Sequence, residues 1–262
     1  EADWQMMLQI GRGWGIRARG ADGREQVAAS TVVIPYASRL AWISMVLVLP
    51  EFRRRGYASL LLRHALADLH AGGMTGVLDA TPAGHVVYVE EGFVDTWGFR
   101  RYRREARPGP DFAASRNESI FSRPLRDDDW PAILALDTPA FGADRASLLR
   151  ALARRLPLAA RVAESRGRLC GFVLGRDGRE ASQLGPLVAR DIATARILLD
   201  DALPLVDGPV YVDLADRHEA LLPCLEARGF RLQRPFTRMV HGSPNAPGDP
   251  ASVVLVAGPE LG

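Results

Sequence analysis

The sequence predicts an α/β fold built as two similar units in tandem, and three observations carry that reading. Apolar runs of strand length alternate with stretches whose apolar residues recur at helical spacing. The order of elements in the first 105 residues recurs, more weakly, from residue 118 onward. A polar, Pro-containing stretch separates the two halves. At 262 residues the chain is long enough for two domains of ordinary size. The expected organisation is a first domain over 1–106, a linker over 107–117 and a second domain over 118–262.

Within the first half, residues 2–10 read as a helix. Residues 12–19 and 26–36 read as a hairpin around the turn signal Ala21-Asp22-Gly23. Residues 41–49 form an almost unbroken apolar run, as expected of a strand covered on both faces, and Pro50 ends it by withholding a backbone donor. Leu60, Leu61, Leu62, Ala65, Leu66 and Leu69 then recur at helical spacing, so a helix is expected over 56–71. A strand at 75–79, a helix at 83–91 and a strand from Phe93 to about Arg103 complete the half.

The most informative stretch is 48–58, Val-Leu-Pro-Glu-Phe-Arg-Arg-Arg-Gly-Tyr-Ala, which turns a buried strand into a helix. Arg53, Arg54 and Arg55 alone would read as a solvated basic turn. The strand-to-helix position, Gly56 and the small Ala58 change that reading. Gly56 admits a close backbone approach, and the amides of residues 54–58 lie at a helix N-terminus without intrahelical partners, a ready site for a pyrophosphate. The pattern is neither that of a nucleotide triphosphatase loop nor that of a dinucleotide fold.

The run resembles the acetyl-CoA motif of the GCN5-related N-acetyltransferase (GNAT) superfamily, an apolar strand with Val-x-Pro followed by Arg/Gln-x-x-Gly-x-Gly/Ala. Arg53, Gly56 and Ala58 take the three motif positions, after Val48 and Pro50. A second landmark, Tyr88-Val-Glu-Glu-Gly92-Phe93, is similar to the family's Tyr-x-x-x-Gly-Phe helix end. Thr81 stands where many relatives carry an asparagine. The specific motifs lie within residues 42–93.

The resemblance implies a mixed, mostly antiparallel central sheet flanked by helices in each domain, with the family's first strand and helix absent from a sequence that begins at Glu1. It also implies acetyl-CoA as co-substrate and direct attack of an amine on the thioester. The cofactor-binding residues implied are Val46, Leu47 and Val48 along the strand, Arg53, Arg54, Arg55, Gly56, Tyr57, Ala58 and Ser59 around the turn, and Thr81. A backbone N–H near Val46 is the expected oxyanion donor. Tyr88 is the expected general acid. For the general base, the motif strand offers only Ser44 and Met45 where some relatives carry glutamate. Asp79 is the best-placed carboxylate, His85 stands next, and a chain of waters is a further route. The ordinary role of an aspartate at the position of Asp79 is a helix cap or turn. His64 and His70 are expected at the surface, and His218 and His241 in the second domain.

The second half reads as a worn copy. A strand precedes Trp130-Pro131, which opens a helix over 130–137. A helix at 144–155 and strands at 159–165 and 169–175 follow, turning at Ser165-Arg166-Gly167. The strand 181–188 leads into a helix at 191–203, 209–213 echoes 75–79, and Gly229-Phe230 echoes Gly92-Phe93. Its turn has no counterpart of Gly56, Asp191 stands where a phosphate would sit, and Leu225 takes the tyrosine position. A degenerate domain without its own cofactor site is expected, shaping a substrate cleft beside the first. The segment 253–256 is expected as the last strand of the second sheet, with exchange into the first sheet as the alternative.

Composition agrees with a soluble enzyme and restricts little else. All 33 basic residues are arginine against 31 acidic ones, a near balance that gives no electrostatic case for nucleic acid. No apolar run reaches the ~18 residues of a membrane span, and no signal peptide is read, so the cytoplasm is the expected compartment. Cys170 and Cys224 are expected as buried thiols, and no His/Cys/Asp set has the spacing of metal ligands. The absence of lysine beside abundant Ala, Arg, Gly and Leu is the usage expected of a GC-rich bacterial genome. The leading expectation is thus an N-acetyltransferase acting on a small-molecule or peptide amine, as a monomer or homodimer. The alternative is an acyl-CoA-binding module that senses cofactor without catalysis.

Overall fold

The structure is a computed structural model that describes residues 1–37, 39–105 and 119–262. The expected linker at 107–117 lies outside the described residues. In chain order the elements are α1 (Ala2–Ile10), β1 (Arg12–Arg19), β2 (Glu25–Tyr36), β3 (Leu40–Val48), α2 (Tyr57–Ala71), β4 (Thr75–Ala80), α3 (Pro82–Glu90) and β5 (Phe93–Arg104). They continue with β6 (Ile120–Pro124), α4 (Trp130–Phe141), α5 (Ala146–Arg155), β7 (Arg161–Ser165), β8 (Arg168–Arg176), β9 (Ser182–Ala189), α6 (Ile192–Ala202), β10 (Val210–Ala215), α7 (Leu222–Ala227), β11 (Arg231–His241) and β12 (Val253–Leu255).

The chain divides into two compact units. The first holds residues 1–97, 237–246 and 259–262, and the second holds 98–236 and 247–258. Each contains a mixed, mostly antiparallel sheet flanked by helices. In the first unit β1, β2, β3 and β4 lie side by side, antiparallel except for β3 and β4. The far half of β11 then adds beside β4, with Thr237 opposite Ala80 and Val240 opposite Val77. In the second unit β10 pairs with the far half of β5 on one side and with β12 and β9 on the other, and β8, β7 and β6 follow.

Two of the four crossings between the units therefore fall inside strands. β5 leaves the first unit after Trp97 and β11 returns to it at Thr237, and the last four residues belong to the first unit as well. Trp42 Nε1 donates to the Pro259 carbonyl at 3.0 Å and the Tyr36 hydroxyl to that of Leu261 at 2.9 Å. Segment 253–256, with a strand at Val253–Leu255, belongs to the second unit's sheet as expected. The strand supplied to the first unit is β11, which the periodicity of the sequence did not single out.

The first core packs the apolar stripe of α2, with Leu62, Ala65 and Leu69, against Val33, Ile43, Leu78, Ala80 and Met239 of the sheet. That burial fixes where the N-terminus of α2 sits at the end of β3. The second core gathers Ala195, Leu198 and Leu199 of α6 with Leu225 and Phe230 against the sheet strands. Leu225 is fully buried there, which is the packing expected once the tyrosine position becomes aliphatic.

Candidate active site

β3 and β4 pair only over Leu40–Trp42 and Thr75–Val77 and then part company. The far half of β3 thus presents a backbone edge of the kind an extended ligand can add to as a strand. A β-bulge shapes this edge. Ser30 lies opposite Leu47 but Val32 opposite Ser44, so two residues of β3 face one of β2. Met45 carries the strain with φ of 52°, and the Ser30 hydroxyl donates to its carbonyl at 3.0 Å. The bulge turns the chain at Met45 and Val46, where the oxyanion donor was expected.

Beyond β3, Pro50–Phe52 make one 3-10 turn, and Arg54 and Gly56 are both left-handed, with φ of 58° and 76°. Such alternation aims successive amides inward, as anion-binding backbone concavities do. Gly56 is the N-cap of α2 and has no side chain to cap it, so the first amides of the helix are left for a ligand. A Cβ at Gly56 would meet nothing within 4 Å in the protein, so its side of the turn is open. The glycine is required by its backbone angle, not by crowding from the fold.

A cavity of about 570 Å³ opens at this turn. Its lining brings together Val46, Leu47, Val48, Arg53, Arg54, Gly56, Tyr57, Ala58, Ser59, Thr81 and Tyr88, all of which the sequence had singled out. Arg55 is the one expected binding residue outside it. Its guanidinium lies 5.1 Å from the Phe52 ring centroid and donates to the Glu51 carbonyl. The sequence reading missed four lining residues, Phe52, Ala83, Gly84 and Val87. Gly84 had a legible signal, a glycine inside a helical segment. A Cβ there would sit 3.0 Å from the Tyr88 ring, so the glycine makes room for that ring.

Thr81 caps α3 by accepting from the Gly84 amide at 3.2 Å. Tyr88 packs edge-on against Phe93 with ring centroids 6.0 Å apart, and burial pushes its phenol up to about 12. One turn on, Glu91 accepts from Arg63 Nε at 2.8 Å and ties the end of α3 to α2. That bond, and then contact with Ser59, holds its carboxyl below the usual range against the cost of burial.

Asp79 is placed otherwise than a general base requires. Its side chain is 0% exposed and takes both prongs of Arg238, Nε to Oδ1 and Nη2 to Oδ2, each at 2.9 Å. Arg238 in turn lies 4.5 Å from the Trp42 ring centroid and 4.3 Å from that of Trp97. A carboxylate enclosed in this way is a structural anchor. The sequence could not reveal it, because Arg238 lies 159 residues away in the strand that returns from the other half. His85, on α3, hydrogen-bonds Asp95 at 2.7 Å and is not part of the cavity lining. His64 packs on Trp14, and His241 belongs to the first unit, stacked edge-on against Phe93. Cys170 is buried and Cys224 half-buried, both as free thiols.

The corresponding turn of the second unit is closed to anions by its own chain. Asp191 is the N-cap of α6, and its Oδ1 accepts from the Thr194 amide at 2.7 Å. An internal carboxylate thus occupies the position that Gly56 leaves open in the first.

Beside the strand-end bulge, the glycine-capped helix and the tyrosine that lines the same cavity, comparison with known proteins identifies the family. The model described as "Acetyltransferase (GNAT) family" matches residues 11–91, and that described as "Acetyltransferase (GNAT) domain" matches 133–254. The chain is a two-domain member of the GNAT family. It is 23% identical over 231 residues to a protein of Bacillus subtilis (strain 168) named "Uncharacterized N-acetyltransferase YitH", covering 88% of this chain and 78% of that one. Among solved structures it is similar to a putative acetyltransferase from Pyrococcus horikoshii, with a TM-score of 0.76 at 23% identity, covering 100% of this chain and 84% of that one. It is also similar to a tandem GNAT protein from the clavulanic acid biosynthesis pathway, with a TM-score of 0.62 at 18% identity over 93% and 88% of the two chains. These structural likenesses carry the fold, and membership of the family supports acetyl transfer as the class of reaction. Among the described residues no helix is long and apolar enough to cross a membrane.

Proposed function

We propose that the chain is an acetyl-CoA-dependent N-acetyltransferase that passes acetyl directly to a primary amine of a small molecule or peptide. One observation carries the reading: the open N-terminus of α2 and the Tyr88 side chain line a single cavity beside the parted strand edge of β3. The residues fit the group. Backbone amides of residues 54–58 and the side chains of Arg53 and Arg54 would hold a pyrophosphate, and the edge at Val46, Leu47 and Val48 would hold an extended amide-bearing arm. When bound, acetyl-CoA supplies the activated thioester.

The protein's own groups then have three tasks. The bulge at Met45 and Val46 presents backbone N–H to negative charge that develops on a carbonyl oxygen. The Tyr88 hydroxyl donates a hydrogen bond toward developing thiolate. With its pKa at about 12 it keeps its proton at every working pH. It is also a poor source of a full proton for a thiolate whose parent thiol ionises near ~8.5. Stabilisation by hydrogen bonding, with the proton coming from the acylated amine, is the task this phenol suits. Removal of the ammonium proton falls to water, or to His85 held by Asp95, since Asp79 is enclosed.

A second reading, an acyl-CoA-binding module without catalysis, draws on one observation. No carboxylate or imidazole is among the residues lining the cavity. Release of free thiol from acetyl-CoA on addition of a panel of small amines and peptide N-termini separates the two. Amine-dependent release is expected, and saturable cofactor binding with no release under any amine would replace the enzyme with the binding module.

A further inference from the structure

A face of the second unit's sheet carries an unusual ladder of cations and rings. Arg101 stands opposite Asp213 and Arg103 opposite Tyr211 across the β5–β10 pairing, so all four side chains share one face. The Arg103 guanidinium carbon lies 5.5 Å from the Tyr211 ring centroid and that of Arg101 4.8 Å from it. Arg101 then lies 5.5 Å, and Arg234 of β11 5.0 Å, from the Phe236 centroid. Three guanidinium groups are thus interleaved with two aromatic rings.

The anions that answer them are unevenly shared. Arg101 spends its fork on Asp213, with two bonds of 2.8 Å, and Gln183 adds its own bond to the same carboxylate. Arg103 takes Glu105, a surface carboxylate, at 2.9 Å. Arg234 has no acceptor for its fork among the described residues. Arg234 is exposed to solvent as a whole, yet lost hydration around its guanidinium, and then the charge of Arg101, pull its proton affinity below the ordinary arginine range, with Asp213 and Tyr211 acting the other way. A cation so placed gains from any planar anion that reaches it, because stacking uses the face of a guanidinium and leaves its N–H edge free. Tyr211 adds a donor. Its oxygen accepts from Arg103 Nη1 at 3.3 Å and Gln233 Nε2 at 3.4 Å, which leaves its own proton to give.

We infer that Arg234, with the Tyr211 hydroxyl and the Arg101–Arg103 ladder behind it, forms a binding site in the second unit for the carboxylate or phosphate group of a small-molecule ligand. Such a group takes the two-pronged edge of Arg234 and relieves the repulsion between Arg234 and Arg101. The anion comes either on the amine that accepts acetyl or on a separate metabolite.

Calorimetric titration of the full chain with glutarate, and separately with inorganic phosphate, near physiological ionic strength tests the site. At least one of the two is expected to bind saturably, and Arg234→Ala to weaken it by about tenfold or more, the usual loss for a charge-assisted bond. The control Arg231→Ala, on the same strand, should leave it unchanged. If Arg234→Ala does not fold, Arg234→Gln serves, since it keeps an amide donor and part of the stem. Absence of binding by both anions, or equal binding by wild type and the Arg234 variant, overturns the inference. The readout needs no acetyl transfer, so its failure leaves the proposed activity untouched. To tell the two sources apart, kinetics of Arg234→Ala with amines that do and do not bear a carboxylate are compared. A rise in KM confined to the acidic amines assigns the anion to the acceptor. Unchanged kinetics beside lost anion binding assign it to a separate ligand.

Discussion

At the scale of single residues, Tyr88 and Asp79 exchange the kind of evidence that supports them. Tyr88 lines the cavity and its phenol is pushed up to about 12 by burial, and in the proposed reaction its hydroxyl is called on only as charge builds on sulfur. Tyr88→Phe should lower kcat by about 100-fold and leave the KM for acetyl-CoA nearly unchanged, because the hydroxyl is not asked to bind the ground state. Steady-state kinetics check this, and an unaltered kcat with chemistry rate limiting would remove Tyr88 from the reaction. Asp79→Asn, by contrast, breaks a buried two-pronged pair with Arg238 and should cost about 3–5 kcal/mol of stability. Denaturant unfolding measures it. The activity that remains in the folded fraction should not recover with rising pH, and a pH-rescued loss of rate at unchanged stability would restore Asp79 as a base.

Among the elements, the two strand–turn–helix units are a natural comparison within one chain. The α2 turn ends on a left-handed glycine with no cap, and the α6 turn ends on an aspartate that caps its own helix. Gly56→Val should abolish acetyl-CoA binding. It forces a β-branched residue into φ of 76° and puts a side chain where the ligand must approach. Ala193→Val, in the exposed first turn of α6, should leave binding intact. Calorimetry with acetyl-CoA should give one site per chain. A stoichiometry of two would mean that the Asp191 cap opens for a ligand.

Over the whole molecule, the fate of β11 decides how the halves depend on each other. Thr237–Val240 pair with β4 in the first unit, and carbonyls of Pro259 and Leu261 take donors from Trp42 and Tyr36. Removing residues 118–262 therefore strips the first unit of a sheet strand, of Arg238 beneath Asp79, and of its closing tail. The expected outcome is an insoluble or unfolded fragment, judged by circular dichroism and by hydrogen exchange. A folded fragment that binds acetyl-CoA as the full chain does would show that the returning strand is dispensable.

Much of this was legible in the chain as written. Periodicity gave every helix except α7 and most strands to within a few residues, because amphipathic burial imposes it locally, and Val48 to Ala58 gave the strand–turn–helix because a strand, a glycine and a helix start are contiguous in sequence. Tyr88 could be placed across the cavity because one short helix carries it from Thr81 to Gly92. What the tertiary structure alone decided involves partners far apart along the chain. Arg238 turned Asp79 from a candidate base into an anchor, β11 crossed back into the first sheet, and Arg101, Tyr211 and Arg234 met on one face from three strands. The physical reason is the same in each case. Local pattern records which face of an element must be buried, but a buried charge is matched only when the sheet brings distant strands into register, and no spacing along the sequence encodes that register.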